Sequence, residues 1–292
     1  MLKGSLVALI TPFKNGKVDE KAFQDFVAWQ ISEGTNGLVP CGTTGESPTL
    51  SHEEHDRVVD LCIEVAKGSN VPVVAGAGSN STEEAIRLTK HAKKSGADAA
   101  LIVTPYYNKP TQEGLYLHYK AIHDAVEIPI LIYNIPGRSV INMSVETMAR
   151  LAKLPNIIGV KCATNDVQRP MLERIAIGDD WTQLSGEDGT ALAYRVAGGD
   201  GCISVSANVA PRALADMHAA WEKGDVKAAM AINKRLMPLH EALFVETSPG
   251  PVKYAASLIG KSSADCRLPL APTMAPTQAK VRAAMVGAGL LN

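Results

Sequence analysis

The feature that most constrains this chain is a recurring alternation, in which a short apolar, β-branched run gives way to an amphipathic helical stretch and then to another run. The runs at residues 6–10, 37–39, 71–75, 99–103, 128–133 and 157–160 are nearly free of polar interruption. A half-exposed strand would alternate apolar with polar, so runs this continuous predict strands buried on both faces, as in a parallel sheet. Between them, positions such as Val58, Leu61, Cys62 and Val65 repeat at helical spacing. Ser51 with Glu54 and Ser81 with Glu84 match capping boxes, and Gly34 and Gly96 stand where helices beginning near Asp19 and Ser81 should stop. Seven strand-then-helix units fit between Ser5 and Ala197, and an eighth strand at 201–205 precedes a helix through Leu214, Met217 and Trp221.

Eight parallel units close a barrel, so the predicted fold is α/β, a (β/α)8 TIM barrel. The competing topology, a doubly wound open sheet, would carry a Gly-x-Gly-x-x-Gly turn after its first strand. Here that turn reads Thr11-Pro12-Phe13-Lys14, and Gly76-Ala77-Gly78 lacks the third glycine. The final stretch shows helical patterns without strands, broken at Ser248-Pro249-Gly250-Pro251 and by a proline-rich segment at 269–276. The expected division is a catalytic barrel over 1–224 and a helical domain over 225–292 packed against it.

Composition excludes several functions. With 29 Lys and Arg against 30 Asp and Glu, the net charge of -1 offers no broad surface for nucleic acid or anionic lipid. The run at 6–10 is too short for the core of a signal peptide, and no window approaches the ~20 apolar residues of a membrane-spanning helix. The five cysteines, Cys41, Cys62, Cys162, Cys202 and Cys266, include no Cys-x-x-Cys pair. They read as thiols of a reducing, cytoplasmic compartment.

Active sites of such barrels lie at the carboxyl ends of the strands, and the residues there are conspicuously polar. Gly42-Thr43-Thr44-Gly45-Glu46 follows the second strand, Thr104-Pro105-Tyr106-Tyr107-Asn108 the fourth, and Tyr133-Asn134-Ile135-Pro136-Gly137-Arg138 ends the fifth. Lys161 ends the sixth, and Ser185-Gly186-Glu187 the seventh. Strand alternation puts Lys161 on the face of residues 157 and 159, with Gly159 leaving space beneath its stem. A neutral amine in a barrel mouth is the nucleophile that forms a Schiff base with a carbonyl, whereas a strand-end lysine that reaches solvent does nothing. Tyr133 can share that mouth as a proton shuttle, with Thr43 and Tyr107 as relays, or can simply pack its ring. The turn at 42–46 offers hydroxyls and N–H groups to a carboxylate. Arg138 offers its fork to a second one, or is an ordinary surface arginine. His52 and His55 are three apart near a helix start without His-Glu-x-x-His spacing or a third ligand, so no metal is expected. A solvated helix face or an effector site accounts for them.

Gly42-Thr43-Thr44-Gly45-Glu46-Ser47, Thr104-Pro105-Tyr106-Tyr107-Asn108-Lys109-Pro110, Tyr133-Asn134-Ile135-Pro136-Gly137-Arg138 and Gly159-Val160-Lys161 together carry a resemblance. In order and spacing the chain resembles the dihydrodipicolinate synthase family over essentially its whole length. The resemblance implies a barrel with a C-terminal helical domain, assembled as a homotetramer (a dimer of dimers), that condenses pyruvate with aspartate 4-semialdehyde on the route to lysine without a cofactor. It implies Lys161 as the Schiff-base residue, and Tyr133 as acid and base linked to Thr43 and to Tyr107 of a neighbouring subunit. Thr44 would bind the pyruvate carboxylate and Arg138 that of the aldehyde, while Gly186 and the carbonyl of Ile203 would line the pocket. In relatives inhibited by lysine, the effector positions match Ser47, His52, His55, Asn80, Glu84 and Tyr106 here. Two positions depart from the pattern: Pro48 replaces a small residue, and Cys162 stands where many relatives are acidic. Alternation points Cys162 away from Lys161, so little effect on chemistry is expected. N-acetylneuraminate lyase and keto-acid aldolases share the lysine and tyrosine, but Thr44, Tyr107 and Arg138 together favour a short aldehyde bearing a carboxylate. A non-catalytic barrel that senses small acids is the alternative of a different class.

Overall fold

Val7, Ile102, Ile132 and Val160 lie within the apolar runs, and each is fully buried in a strand. The computed structural model describes residues 2–292. Its strands are β1 (Gly4–Ala8), β2 (Phe13–Lys14), β3 (Lys17–Val18), β4 (Gly37–Val39), β5 (Val74–Gly76), β6 (Ala99–Val103), β7 (Ile130–Asn134), β8 (Ile157–Cys162), β9 (Thr182–Ser185) and β10 (Gly201–Ser204). β2 and β3 make an antiparallel hairpin that the sequence pattern did not announce. The other eight belong to an eight-stranded parallel sheet, each followed by a helix, which is the element order of a (β/α)8 barrel.

The chain divides into two compact units. In the unit spanning residues 72–203, the strands from β5 to β9 pair in sequence order, and β10 pairs with β9. Helices Thr82–Ser95, Gln112–Ala125, Val145–Leu151, Arg169–Ile177 and Ala191–Val196 follow these strands. Tyr119 ties helix to strand by donating to the carbonyl of Ile102 at 2.7 Å. Arg169 and Glu173 pair at 2.8 Å in the interior, and Trp181 Nε1 donates to the other carboxylate oxygen at 3.1 Å. Removing one partner would strand a buried charge, at a cost of about 3–5 kcal/mol.

Two local expectations change here. The register between β7 and β8 skips Ile158, so the alternation along β8 restarts at Gly159. Gly159 does not serve the lysine stem, because a Cβ there would fall 2.2 Å from the carbonyl oxygen of Thr182 on β9. The glycine is required by the close passage of the neighbouring strand. The run at 71–75 also starts later than its hydropathy implies. Pro72 has no N–H, and Val73 donates to Asp98 Oδ2 at 2.8 Å, so β5 begins at Val74.

The second unit comprises residues 4–71 and 204–292. It contains the parallel pair β1 and β4, the hairpin, and helices Glu20–Ser32, His52–Ala66, Pro211–Glu222, Val226–Ala242, Gly250–Leu258 and Ala275–Gly287. β1 ends two residues short of the apolar run because the Ile10 N–H donates to the side chain of Asn208 at 3.0 Å. The box at Ser51 and Glu54 forms in both directions. At Ser81 only half of it forms: Ser81 accepts from the Glu84 N–H, while its own N–H donates to Ser79 Oγ at 3.0 Å. Gly96 closes its helix in the left-handed conformation, with φ 95°.

Candidate active site

In the first unit, Lys161 and Tyr133 are directly opposed across β8 and β7. Lys161 is 5% exposed and Tyr133 6%, and the Lys161 Nζ lies 4.0 Å from the Tyr133 ring centroid. When protonated, an amine over an aromatic face gains electrostatic attraction from the ring. Gly186 follows β9, and its N–H donates to the Cys162 carbonyl at 2.7 Å, extending the ladder beyond the strand. A Cβ at Gly186 would meet the Ala163 Cβ at 2.8 Å and the Lys161 Cε at 3.3 Å, so the glycine keeps room beside the lysine stem. Cys162 points elsewhere, with its Sγ 3.2 Å from Thr164 Oγ1, as alternation predicts. Burial pushes its thiol above the usual range.

One group that the motifs contained but the sequence reading gave no role is Glu187. Burial pushes its carboxyl up, opposed by the positive charges of Lys161 and Arg138 and reinforced by Asp188. The Glu187 N–H donates to Ser185 Oγ at 3.1 Å, which folds the chain back immediately after β9. The signal was an acidic residue at the end of a barrel strand. Arg138 itself is exposed, on the short helix Pro136–Ser139. That helix ends at Val140 in a left-handed conformation, φ 68°, which a β-branched residue adopts only under constraint. Ile203 is fully buried in β10, one residue beyond the Cys202 to Ser185 pairing.

Tyr107, unlike Lys161 and Tyr133, is not buried. It is 88% exposed and has φ 71°, on a loop where Lys109 is also left-handed at φ 48°. Asn80 Nδ2 donates to the Tyr106 carbonyl at 3.2 Å, and Asn108 Nδ2 donates to the Asn80 carbonyl at 2.9 Å, which ties the loops after β5 and β6 together. Glu84 accepts from Ser79 Oγ beside them. Three predicted effector residues, Asn80, Glu84 and Tyr106, thus gather in one place.

The second unit holds the turn at 42–46. Thr44 is 4% exposed and Thr43 half-buried. The turn closes on itself: the Gly45 N–H donates to the Gly42 carbonyl and the Glu46 N–H to the Thr43 carbonyl, each at 3.1 Å. Ser47 follows, half-buried, at the start of a short 3-10 turn. His52 is exposed whereas His55 is 5% exposed, with its carbonyl 3.5 Å from Cys41 Sγ, so the two do not share a solvated face. Among the described residues no three His, Cys, Asp or Glu side chains are grouped to hold a metal ion. All five cysteines are free, and burial pushes up the thiols of Cys41, Cys62, Cys202 and Cys266, the last to about 11.

Strand order is that of a (β/α)8 barrel, and its strand ends hold a buried amine beside a phenol. The model of the dihydrodipicolinate synthetase family matches residues 1–287. A 4-hydroxy-tetrahydrodipicolinate synthase of Rhodospirillum centenum is 68% identical over 292 residues, covering 100% of both chains. The crystal structure of a chloride-inhibited dihydrodipicolinate synthase from Acinetobacter baumannii, complexed with pyruvate, is 47% identical and covers 100% of both chains with a TM-score of 0.97. A lysine-bound enzyme from Cyanidioschyzon merolae is 39% identical, covers 99% of each chain and also has a TM-score of 0.97. The chain belongs to the dihydrodipicolinate synthetase family.

Proposed function

We propose that the chain is a 4-hydroxy-tetrahydrodipicolinate synthase that condenses pyruvate with L-aspartate 4-semialdehyde through a Schiff base on Lys161. The observation that carries this reading is the buried Lys161 amine 4.0 Å from the Tyr133 ring. Pyruvate in the Acinetobacter baumannii relative supports the first substrate. The Lys161 amine attacks the keto carbon, and water leaves as the imine forms. The cationic imine draws electrons from the methyl group, which loses a proton to give an enamine. The enamine carbon bonds to the aldehyde carbon, whose oxygen takes a proton. The amino group of the acceptor then attacks the imine carbon, closes the ring and releases Lys161.

Tyr133 carries the protons, relayed by Thr43 and by Tyr107 of a neighbouring subunit. Thr44 holds the pyruvate carboxylate, Arg138 holds that of the aldehyde, and Gly186 and the Ile203 carbonyl line the pocket. The extended, left-handed Tyr107 loop supports donation between subunits in a homotetramer. So do the exposed apolar side chains Met171, Leu172 and Ile175 on one helix. L-Lysine acts as feedback inhibitor at Ser47, His52, His55, Asn80, Glu84 and Tyr106, a reading supported by the bond between Asn80 and Tyr106 and by the lysine-bound relative. Residues 1–224 act as the catalytic barrel and 225–292 as its helical domain. Five free thiols favour the cytoplasm.

A coupled assay with pyruvate and aspartate 4-semialdehyde tests the reading. Turnover that falls as L-lysine is raised is expected. Turnover with N-acetylmannosamine or a simple keto-acid aldol acceptor, but not with the semialdehyde, would reassign the enzyme within its superfamily, and full activity at high lysine would remove the effector site.

A further inference from the structure

The segment carrying Thr43 and Thr44 is anchored by a buried ion pair that the proposed reaction does not use. Glu46 is 2% exposed and Lys253 0%, although 207 positions separate them. Lys253 Nζ donates to Glu46 Oε1 at 2.7 Å and to the Thr11 carbonyl at 2.9 Å, and lies 4.1 Å from the Phe13 ring centroid. The other carboxylate oxygen accepts the backbone N–H of Arg267 at 2.9 Å. Glu46 is itself left-handed, φ 56°, a conformation that a side-chain-bearing residue holds only when its surroundings impose it. Its N–H bonds the Thr43 carbonyl, so wherever the carboxylate is fixed, Thr43 is fixed too.

Stability alone does not explain this pair. Desolvating two charges is costly, and an apolar pair of similar volume commonly serves a fold as well. What the pair adds is direction: charge-assisted bonds of fixed length admit one placement of the turn, where apolar packing would admit several. We propose that Lys253 is a positioning residue, which through Glu46 holds the Thr43-Thr44 segment in the arrangement that receives the carboxylate of a 2-keto acid. The proposal rests on the reading of Thr44 as the pyruvate-carboxylate group. Arg267 has a second role: its guanidinium binds both oxygens of Glu54 at 2.6 Å and the Thr49 carbonyl at 2.7 Å, securing the following helix start rather than the turn.

The test is borohydride trapping of pyruvate on Lys161 at graded pyruvate concentrations, with thermal unfolding measured in parallel. Loss of one charge-assisted hydrogen bond predicts that Lys253→Met raises the half-saturating pyruvate concentration about tenfold or more, with the plateau adduct little changed. The double variant Glu46→Gln/Lys253→Met removes both charges, recovers unfolding temperature and keeps the raised half-saturation. It decides the matter if Lys253→Met alone does not fold. Arg267→Lys retains the backbone N–H to Glu46 and is expected to keep the parental half-saturation despite a lower unfolding temperature. A merely structural role would reduce the adduct plateau and leave half-saturation unmoved, and that result in the double variant overturns the proposal alone. An equal shift in Arg267→Lys also overturns it. A folded parent that yields no adduct at any pyruvate concentration removes the functional reading, and this proposal with it.

Discussion

At the scale of the residue, the proposed chemistry concentrates in two side chains whose placement could be read from strand ends. Lys161 closes one apolar run and Tyr133 the preceding one, and parallel pairing brings them into register. Tyr133→Phe separates the ring from the hydroxyl. The aromatic face under Lys161 Nζ survives, so the Schiff base should still form, while loss of the proton carrier lowers kcat by about 10²–10⁴-fold. Steady-state turnover beside adduct yield reads the two effects apart, and parental turnover would exclude the phenol from proton transfer. Glu187 and Lys253 were harder to see. Glu187 is exceptional only because burial raises its carboxyl against the pull of Lys161. Lys253 lies in a helical stretch with no polar pattern to mark it, and its partner is 207 residues distant. No local rule links positions so far apart.

Elements were legible where their signals are local. The apolar runs, trimmed at 6–10 and 71–75, the full capping box at Ser51 and the Gly96 stop all depend on neighbours within a few residues, and each has its strand, cap or helix end in the structure. What escaped were features set by a second strand, such as the skipped Ile158 and the clearance that forbids a side chain at Gly159. Helix Gln112–Ala125 supplies a further consequence. His118 is 5% exposed, with Nδ1 2.9 Å from Thr82 Oγ1, and burial lowers its pKa from 6.5 to about 4. Between those values the unfolded chain binds a proton at this site and the native chain does not. Stability is therefore present above the upper value and is lost as pH falls through the window, by up to about 3 kcal/mol from this group. Urea unfolding at pH 7.5 and pH 5 should show a smaller loss in His118→Gln than in the parent. Equal losses would mean that His118 is not neutral in the native state.

At the scale of the whole molecule, the eight-unit count gave the barrel, because each strand and helix could be counted without knowing its partners. Assembly is different in kind: the proposed tetramer rests on side chains left apolar and exposed, such as Ile175 at 77%, and on the left-handed loop that carries Tyr107 outward at 88%. A chain that spends backbone strain to project an aromatic ring into solvent is expected to place that ring against another copy. Sedimentation equilibrium should therefore give four times the chain mass, and Tyr107→Ala should shift the parent toward smaller species and reduce turnover together. A parent that sediments as a monomer with full turnover would contradict a shared site.

The central claim, a covalent keto-acid intermediate on Lys161, is tested most directly by peptide mass spectrometry after incubation with pyruvate and borohydride, which reduces an imine to a stable amine. The expected result is a single reduced pyruvate adduct on the peptide containing Lys161, absent from Lys161→Ala. A folded parent with no adduct, or with its adduct on another lysine such as Lys253, would contradict the account.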